Sequence, residues 1–372
     1  MTIVEILRRA IATETPSESL APIAVENWGE IYKAAAKQGV FAIVYDYVKS
    51  LPAAEQPPKG LKLQWALNAE RIEKRYHKQS ALAEELAEIY VSEGITTLVL
   101  KGLAISKYYP IAEHRECGDL DCFLAKSDSN QPYGIALRED GIPQSCYAAG
   151  NTIAKQAGAK VEIGFYKHSH INFRGLVVEN HAFCTAVRGS RNNKRFERHL
   201  QQLLATRPTT PVGQSRLLCP CADFNALFLT AHSFQHFLTE GIKLRHVLDW
   251  ALLLRAEQHN IDWQSFYAWC DTMHFTKFAD AMTAIAVDKL GIEISNPDIR
   301  TTSPLRDKVL DDILYSEKKV SGTKGSKFTK RLKIIRNRLL GGWKYSELYE
   351  RSAFADTMQM VVAFFIERNP KI

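Results

Sequence analysis

Residues 98–124 read LVLKGLAISKYYPIAEHRECGDLDCFL, and this stretch decides the fold of the chain. The apolar runs at its two ends are typical of buried strands, and Lys101-Gly102 turns the first strand into a short helix. Side chains alternate between the faces of a strand, so Asp119 and Asp121 project from one side. Two carboxylates this close repel each other, and a bound cation relieves the repulsion. Mg²⁺ suits them, because it commonly binds one or two protein carboxylates together with substrate phosphates.

The composition is that of an ordinary globular protein of two or three structural units. The chain has 372 residues, of which 46% are hydrophobic and 24% charged, and its formal net charge is +7. Seven cysteines, an odd and scattered set, do not form a disulfide framework and indicate reduced thiols. The longest apolar run, Met360–Ile366, is far too short for a membrane span. We expect a soluble, cytoplasmic protein without membrane contact.

Helical spacing dominates the chain except in its second quarter, where strand patterns occur. We predict four regions: a helical region at 1–94, a core with a small mixed sheet at 95–189, a second helical region at 190–300 and a basic helical region at 301–372. The predicted strands are 95–100, the strand that carries Asp119 and Asp121, 160–166, 168–173 and 176–181. One further helix is predicted near 132–139. A sheet segregated between helical blocks indicates the α+β class.

A two-metal phosphoryl-transfer site needs a third carboxylate near the first pair. Glu179 lies in the strand-like run LVVENH and shares a strand face with His181. Glu162, in Val161-Glu162-Ile163, fits the same pattern, so both remain candidates at this point. Either glutamate could also be the polar face of a half-exposed strand, and a histidine at position 181 is more often packed than a ligand.

Several short motifs together resemble the uncharacterised bacterial nucleotidyltransferase-like family of the DNA polymerase beta superfamily. They are Leu100-Lys101-Gly102, Tyr109-Pro110, Arg115, Gly118-Asp119-Leu120-Asp121 and Glu179-Asn180-His181, followed by His232, His236, Arg245 and Asp249 in the later helical half. The resemblance covers roughly residues 30 to 300. It implies an α+β fold built on a minimal nucleotidyltransferase core with flanking helices.

The resemblance also implies a reaction, transfer of a nucleoside monophosphate from a nucleoside triphosphate to an unknown acceptor hydroxyl with release of pyrophosphate. Asp119, Asp121 and Glu179 would be the catalytic residues and the ligands of two Mg²⁺ (or Mn²⁺) ions. Lys101, Gly102 and Arg115 would contact the nucleotide. One departure weakens the expected nucleotide grip: the usual Gly-Ser turn of the superfamily is Lys101-Gly102 here.

Other readings of the same residues stay open. Lys101 could be a solvated residue at a strand end, and Arg115 could pair with Asp119 or Asp121. The His232/His236 pair indicates helix packing first and a pocket role second, and Arg245 with Asp249 has the spacing of a helix-face ion pair.

Two other functions fit parts of the sequence. One is a catalytically degenerate protein that binds nucleotides or nucleic acid on the same scaffold. It is suggested by the missing turn serine and by the basic segment Lys318–Arg338, which could contact phosphates weakly. The other is a glycosyltransferase with a metal at the Asp-x-Asp pair, which the helical character of residues 1–94 disfavours.

Overall fold

The computed structural model describes residues 2–12, 27–131, 134–163, 166–316, 335–338 and 342–366. Its α-helices, numbered in chain order, are α1 (Ile3–Ala10), α2 (Trp28–Gln38), α3 (Phe41–Ser50), α4 (Lys59–Ser92), α5 (Leu103–Ser106), α6 (Tyr147–Gln156), α7 (Arg191–Thr206), α8 (Ala222–Thr239), α9 (Leu244–Glu257), α10 (Trp263–Thr272), α11 (Thr276–Asp288) and α12 (Arg306–Tyr315). A 3₁₀ turn covers Ala112–His114, a π-helix Lys344–Tyr349 and a last α-helix Ala353–Ile366.

Seven strands form one mixed sheet in the order β3-β4-β5-β2-β1-β7-β6. They are β1 (Ile95–Val99), β2 (Leu120–Lys126), β3 (Lys160–Glu162), β4 (His168–Phe173), β5 (Leu176–His181), β6 (Thr210–Pro211) and β7 (Leu218–Cys219). The pairs β2–β5 and β1–β7 are parallel, and the remaining neighbours are antiparallel. Helical blocks flank this sheet, which confirms the predicted α+β class.

Strand β2 lies at the centre of the fold because both of its faces are buried. Phe123 and Ala125 on one face pack into the larger core, which includes helices α8 and α9. Leu120 and Leu124 on the other face pack into a smaller core with the second half of α4 and with α6. A continuous apolar strand of this kind is expected where a sheet is covered on both sides. The central strand therefore carries its acids into a largely buried environment.

The local patterns located most elements, and the exceptions have physical reasons. Strands β4 and β5 coincide with the predicted ranges, whereas the strand predicted at 160–166 ends at Glu162. The helix predicted near 132–139 is wrong: around the two residues not described there, the backbone makes isolated bridges, Ser127 to Ile135 and Leu137 to Pro143. The short strands β6 and β7 were missed, since two-residue strands carry no periodic signal.

Two further expectations concern the basic segment Lys318–Arg338 and membrane-spanning helices. In the basic segment Lys318–Arg338, positions 318–334 lie outside the described residues, and Arg338 pairs with Asp356 at 3.1 Å. None of the described helices combines the length and the apolar character needed to cross a membrane.

Candidate active site

Strand pairing brings two of the three predicted catalytic acids side by side. Asp121 on β2 is in register with Glu179 on the parallel neighbour β5. Asp119 lies in the bend just before β2, so the strand predicted to carry both aspartates carries only Asp121, and Asp119 is close enough to feel the charge of Asp121. Asp121 is fully buried, while Asp119 and Glu179 are partly exposed. The arrangement places one deeply buried carboxylate between two that are open to a ligand.

The rival third acid lies elsewhere in the sheet. Glu162 is exposed on the edge strand β3, in register with His170 and three positions from β2 in the strand order. The sheet topology therefore groups Glu179, and not Glu162, with the aspartate pair.

Lys101 lies between the sheet and helix α8. Its Nζ is 3.1 Å from Oδ2 of Asp121 and donates to Nε2 of His232, also at 3.1 Å. Burial lowers the pKa of Lys101, but the negative charges of Asp121 and its neighbours outweigh this, so the pKa lies above its usual value. Lys101 is thus a fixed cation against the central carboxylate and not a solvated strand-end residue.

Gly102 forms the turn that follows Lys101. Its φ of 69° and ψ of −114° belong to a region that only glycine adopts readily. A Cβ at this position would lie 3.6 Å from the carbonyl oxygen of Asp119. The turn therefore holds its backbone close to the acid-bearing segment.

Arg115 has a partner that the sequence did not predict. Its guanidinium makes a bidentate pair with Asp249 at 2.8 and 2.7 Å, and the hydroxyl of Tyr109 donates to the same carboxylate at 2.6 Å. The suggested pairing with Asp119 or Asp121 is therefore wrong. So is the helix-face pair of Arg245 with Asp249, since Arg245 donates instead to the carbonyl of Glu116.

The surroundings give the three carboxyl groups different pKa values. For Asp121, burial acts to raise the pKa, but the charges of Lys101 and His181 hold it well below its usual range. Burial also opposes ionisation of Glu179, and its contact with His181 leaves the pKa lowered. The pKa of Asp119 is raised by burial and by the neighbouring charge of Asp121. Asp119 is thus the one carboxyl group of the three whose pKa is raised.

Sequence reasoning missed or undervalued several basic side chains around these acids. His168 and His170 of β4 lie opposite His181 and Glu179, on the acid-bearing face. Burial lowers the pKa of His168 to about 4. The buried Lys167, whose pKa burial also lowers, lies near enough to Asp121 and Glu179 to feel their charges. The alternation His168-Ser169-His170 was a usable signal, whereas nothing local marked Lys167.

A small pocket opens beside Asp119, between the sheet and helices α8 and α9. It brings together the three residues predicted to contact nucleotide with one of the acids and with residues from both helices: Lys101, Gly102, Arg115, Glu116, Gly118, Asp119, Leu229, His232, Ser233, Arg245, His246 and Asp249. His232, interpreted first as a packing residue, lines this pocket and contacts Lys101.

The mixed sheet, the grouped acids Asp119, Asp121 and Glu179, and the pocket beside Lys101 agree with the class of nucleotidyltransferase-like proteins. The chain belongs to the uncharacterised nucleotidyltransferase family, which it matches over residues 24–291. No curated protein and no solved structure shows significant similarity to it.

Proposed function

We propose that this protein transfers a nucleoside monophosphate from a nucleoside triphosphate to an acceptor hydroxyl. The acceptor oxygen bonds to the α-phosphorus, the bond to the bridging oxygen breaks, and pyrophosphate leaves. Kinship with the DNA polymerase beta superfamily, inferred from the motifs, is part of this proposal. Membership of the nucleotidyltransferase family supports it.

One observation carries the proposal: Asp121 and Glu179 are in register on adjacent parallel strands, with Asp119 just before β2 and next to the pocket. Three carboxylates are grouped there, and that of Asp119 lines the pocket. Phosphoryl transfer depends on positioning and charge neutralisation more than on covalent help from the protein. This arrangement provides for both.

The donor set fits divalent cations such as Mg²⁺ or Mn²⁺. Asp119, Asp121 and Glu179 would hold them through hard carboxylate oxygens. When bound, such ions would neutralise the charge that develops on the phosphate oxygens. The ammonium of Lys101 now neutralises Oδ2 of Asp121, so it must shift toward the pocket for that oxygen to become a ligand.

Other residues would hold the nucleotide and move the proton. Lys101, once displaced, and Arg115 line the pocket and supply positive charge for the triphosphate. The backbone at Gly102 allows the phosphates to approach closely. One of the three carboxylates would accept the acceptor's proton, and Asp119 is the one that lines the pocket.

The experiment incubates the purified protein with Mg²⁺ or Mn²⁺ and each of the four labelled nucleoside triphosphates, with small-molecule, protein and RNA acceptors. We expect pyrophosphate release and label transfer that are lost in Asp119→Asn and Asp121→Asn. Glu179→Gln should lose them as well, whereas Glu162→Gln, the matched control on the edge strand, should keep them. If Glu162→Gln abolished the activity and Glu179→Gln kept it, the assignment of Glu179 as the third ligand would be wrong.

A second candidate function is favoured by the same Lys101 contact. The turn Lys101-Gly102 lacks the usual serine, and its lysine is paired with the central aspartate; both features suit a protein that binds nucleotide without turning it over. Nucleotide binding without pyrophosphate release, unaffected by Asp119→Ala with Asp121→Ala, would establish this alternative and exclude the enzyme.

A further inference from the structure

Histidines and acids share one face of three adjacent strands. On β4, His168 and His170 point to the same side, and on β5 so do Glu179 and His181. Cross-strand pairing places His168 opposite His181 and His170 opposite Glu179. The opposite face of β4 is buried by Ile171 and Phe173. The histidines are therefore grouped by the register of the hairpin and not by an accident of surface side chains.

Three potential ligand atoms converge within this group. Nδ1 of His168 and Nε2 of His181 each lie 3.6 Å from Oε2 of Glu179. All three atoms lie within 4.8 Å of one another. Tetrahedral bonds of about 2.1 Å separate ligand atoms by about 3.4 Å, close to these spacings. The three side chains need only small movements to enclose one ion.

The orientation of His181 supports the same conclusion. Its Nδ1 lies 3.0 Å from the carbonyl oxygen of Phe183 and donates to it. Nε2 then faces Oδ1 of Asp121 at 3.2 Å and the carboxylate of Glu179. With a proton on Nε2, His181 itself carries the positive charge that these two carboxylates face, and a bound cation would take the place of that proton. A backbone carbonyl that fixes one ring nitrogen, so that the other can bind metal, is a common outer contact of metal-bound histidines.

We propose that His168, Glu179 and His181 form a binding site for a d-block divalent cation, with Zn²⁺ as the type. Two imidazoles and one carboxylate are donors that favour zinc-like ions, whereas Mg²⁺ prefers oxygen ligands alone. The site needs no nucleotide and so goes beyond the proposed function. Because Glu179 belongs to both donor sets, its two oxygens would link this ion to the acids of β2.

The test strips the full-length protein of metal and titrates it with Co²⁺, whose visible absorption reports tetrahedral nitrogen and oxygen ligands. We expect one equivalent to bind, Zn²⁺ to displace it, and a large excess of Mg²⁺ to leave it in place. His168→Ala should weaken Co²⁺ binding by at least about 100-fold. Loss of a residue that only contacts a metal ligand already costs up to about 100-fold, and His168 would be a ligand itself. The exposed His259→Ala, remote in sequence, is the matched control and should bind as the wild type does.

The outcomes separate this site from the proposed reaction. Asp119→Asn should abolish label transfer and change Co²⁺ affinity by less than threefold. The inference would be overturned, whatever the transfer assay gives, by any of three results. They are a wild-type protein that shows no Co²⁺ absorption, displacement of Co²⁺ by Mg²⁺, and a folded His168→Ala variant that binds Co²⁺ normally. His181→Gln provides a second variant if His168→Ala fails to fold, with circular dichroism as the check.

Discussion

At the scale of single residues, Lys101 is the cation in direct contact with the buried acid of the cluster. Its ammonium holds the buried carboxylate of Asp121 at 3.1 Å. The two residues belong to one local segment, yet the sequence did not predict their contact, because a strand-end lysine is as often solvated. The distance shows that the cation is part of the acidic cluster before any metal is added.

The variant Lys101→Met removes this internal cation. It should destabilise the protein by on the order of 3 kcal/mol, because a buried carboxylate loses its main partner. Added Mn²⁺ should then raise the melting temperature of the variant more than that of the wild type. Thermal melts with and without Mn²⁺ measure both effects, with the exposed Lys107→Met as control. Equal Mn²⁺ shifts in variant and wild type would show that Lys101 does not compete with the metal.

Arg115, predicted to contact the nucleotide, should also stabilise the fold through its pair with Asp249. Asp249→Asn leaves the guanidinium buried without its bidentate partner, and we expect a loss of about 3–5 kcal/mol in the free energy of unfolding. Denaturant unfolding measures this loss. The surface pair Arg138–Asp140 provides the control, since Asp140→Asn should leave the unfolding midpoint unchanged. A midpoint unaffected by Asp249→Asn would contradict the structural role of the pair.

His236 makes stability depend on pH. Burial, together with the charge of Lys101, lowers its pKa to about 4 in the folded protein. Between about pH 6.5 and 4 the unfolded chain therefore binds the proton more strongly, and stability is lost as the pH falls through this window. The loss from pH 7 to pH 5 is about 2 kcal/mol for this group.

The variant His236→Gln should be less acid-sensitive than the wild type by that amount. Unfolding free energies at pH 7 and pH 5 measure the difference, and the exposed His259→Gln is the control. If His236→Gln and His259→Gln showed the same pH response, another group would be responsible.

At the scale of elements, the sequence predicts the hairpin β4–β5 but not the pairing of β5 with β2. Alternation in 168–173 and 176–181, with a turn at Arg174-Gly175, carries the whole signal of the hairpin. The pairing of β5 with β2 joins segments about 60 residues apart and has no local signature. The choice of Glu179 over Glu162 therefore depended on the family resemblance until the strand order was known.

Helix α6 supports β2 from the face opposite the acids. A Cβ at Gly150 would lie 2.1 Å from Cδ1 of Leu124, which is fully buried. Gly150→Ala should therefore cost about 1–3 kcal/mol through overpacking, despite the better helix propensity of alanine. Gly60→Ala in α4 meets no atom within 4 Å and should be neutral or stabilising by up to about 1 kcal/mol. Denaturant unfolding of both variants checks the contrast, and equal effects would contradict this packing.

At the scale of the whole molecule, the pocket connects the sheet with the helical half. The contacts of Lys101 with His232 and of Arg115 with Asp249 each span more than 130 residues of sequence. Composition and periodicity indicated a sheet and helices, but not that α8 and α9 close over the acids. Pair contacts of this length leave no periodic trace, so only the family resemblance linked the two halves beforehand.

Binding of metal and nucleotide should therefore slow amide hydrogen exchange in the sheet and in the helical half together. With Mn²⁺ and a non-hydrolysable nucleoside triphosphate, we expect slower amide hydrogen exchange in β2, in β5 and in α8 together. Mass spectrometry of the exchanged full-length protein measures this, with α10, which contributes no residue to the pocket, as the internal control. Protection limited to the sheet would place the ligand outside the pocket.

The parallel pairing of β2 with β5 also has a consequence for biosynthesis. Asp121 and His181 are 60 residues apart, so translation separates them by about 3–12 s. During that interval the segment Leu120–Ala125 is a strongly apolar strand whose partner on one side has not yet been made. The pairing that assembles the carboxylates thus leaves this strand unpaired on one side in the nascent chain, and co-expressed chaperones should raise the soluble yield of the protein.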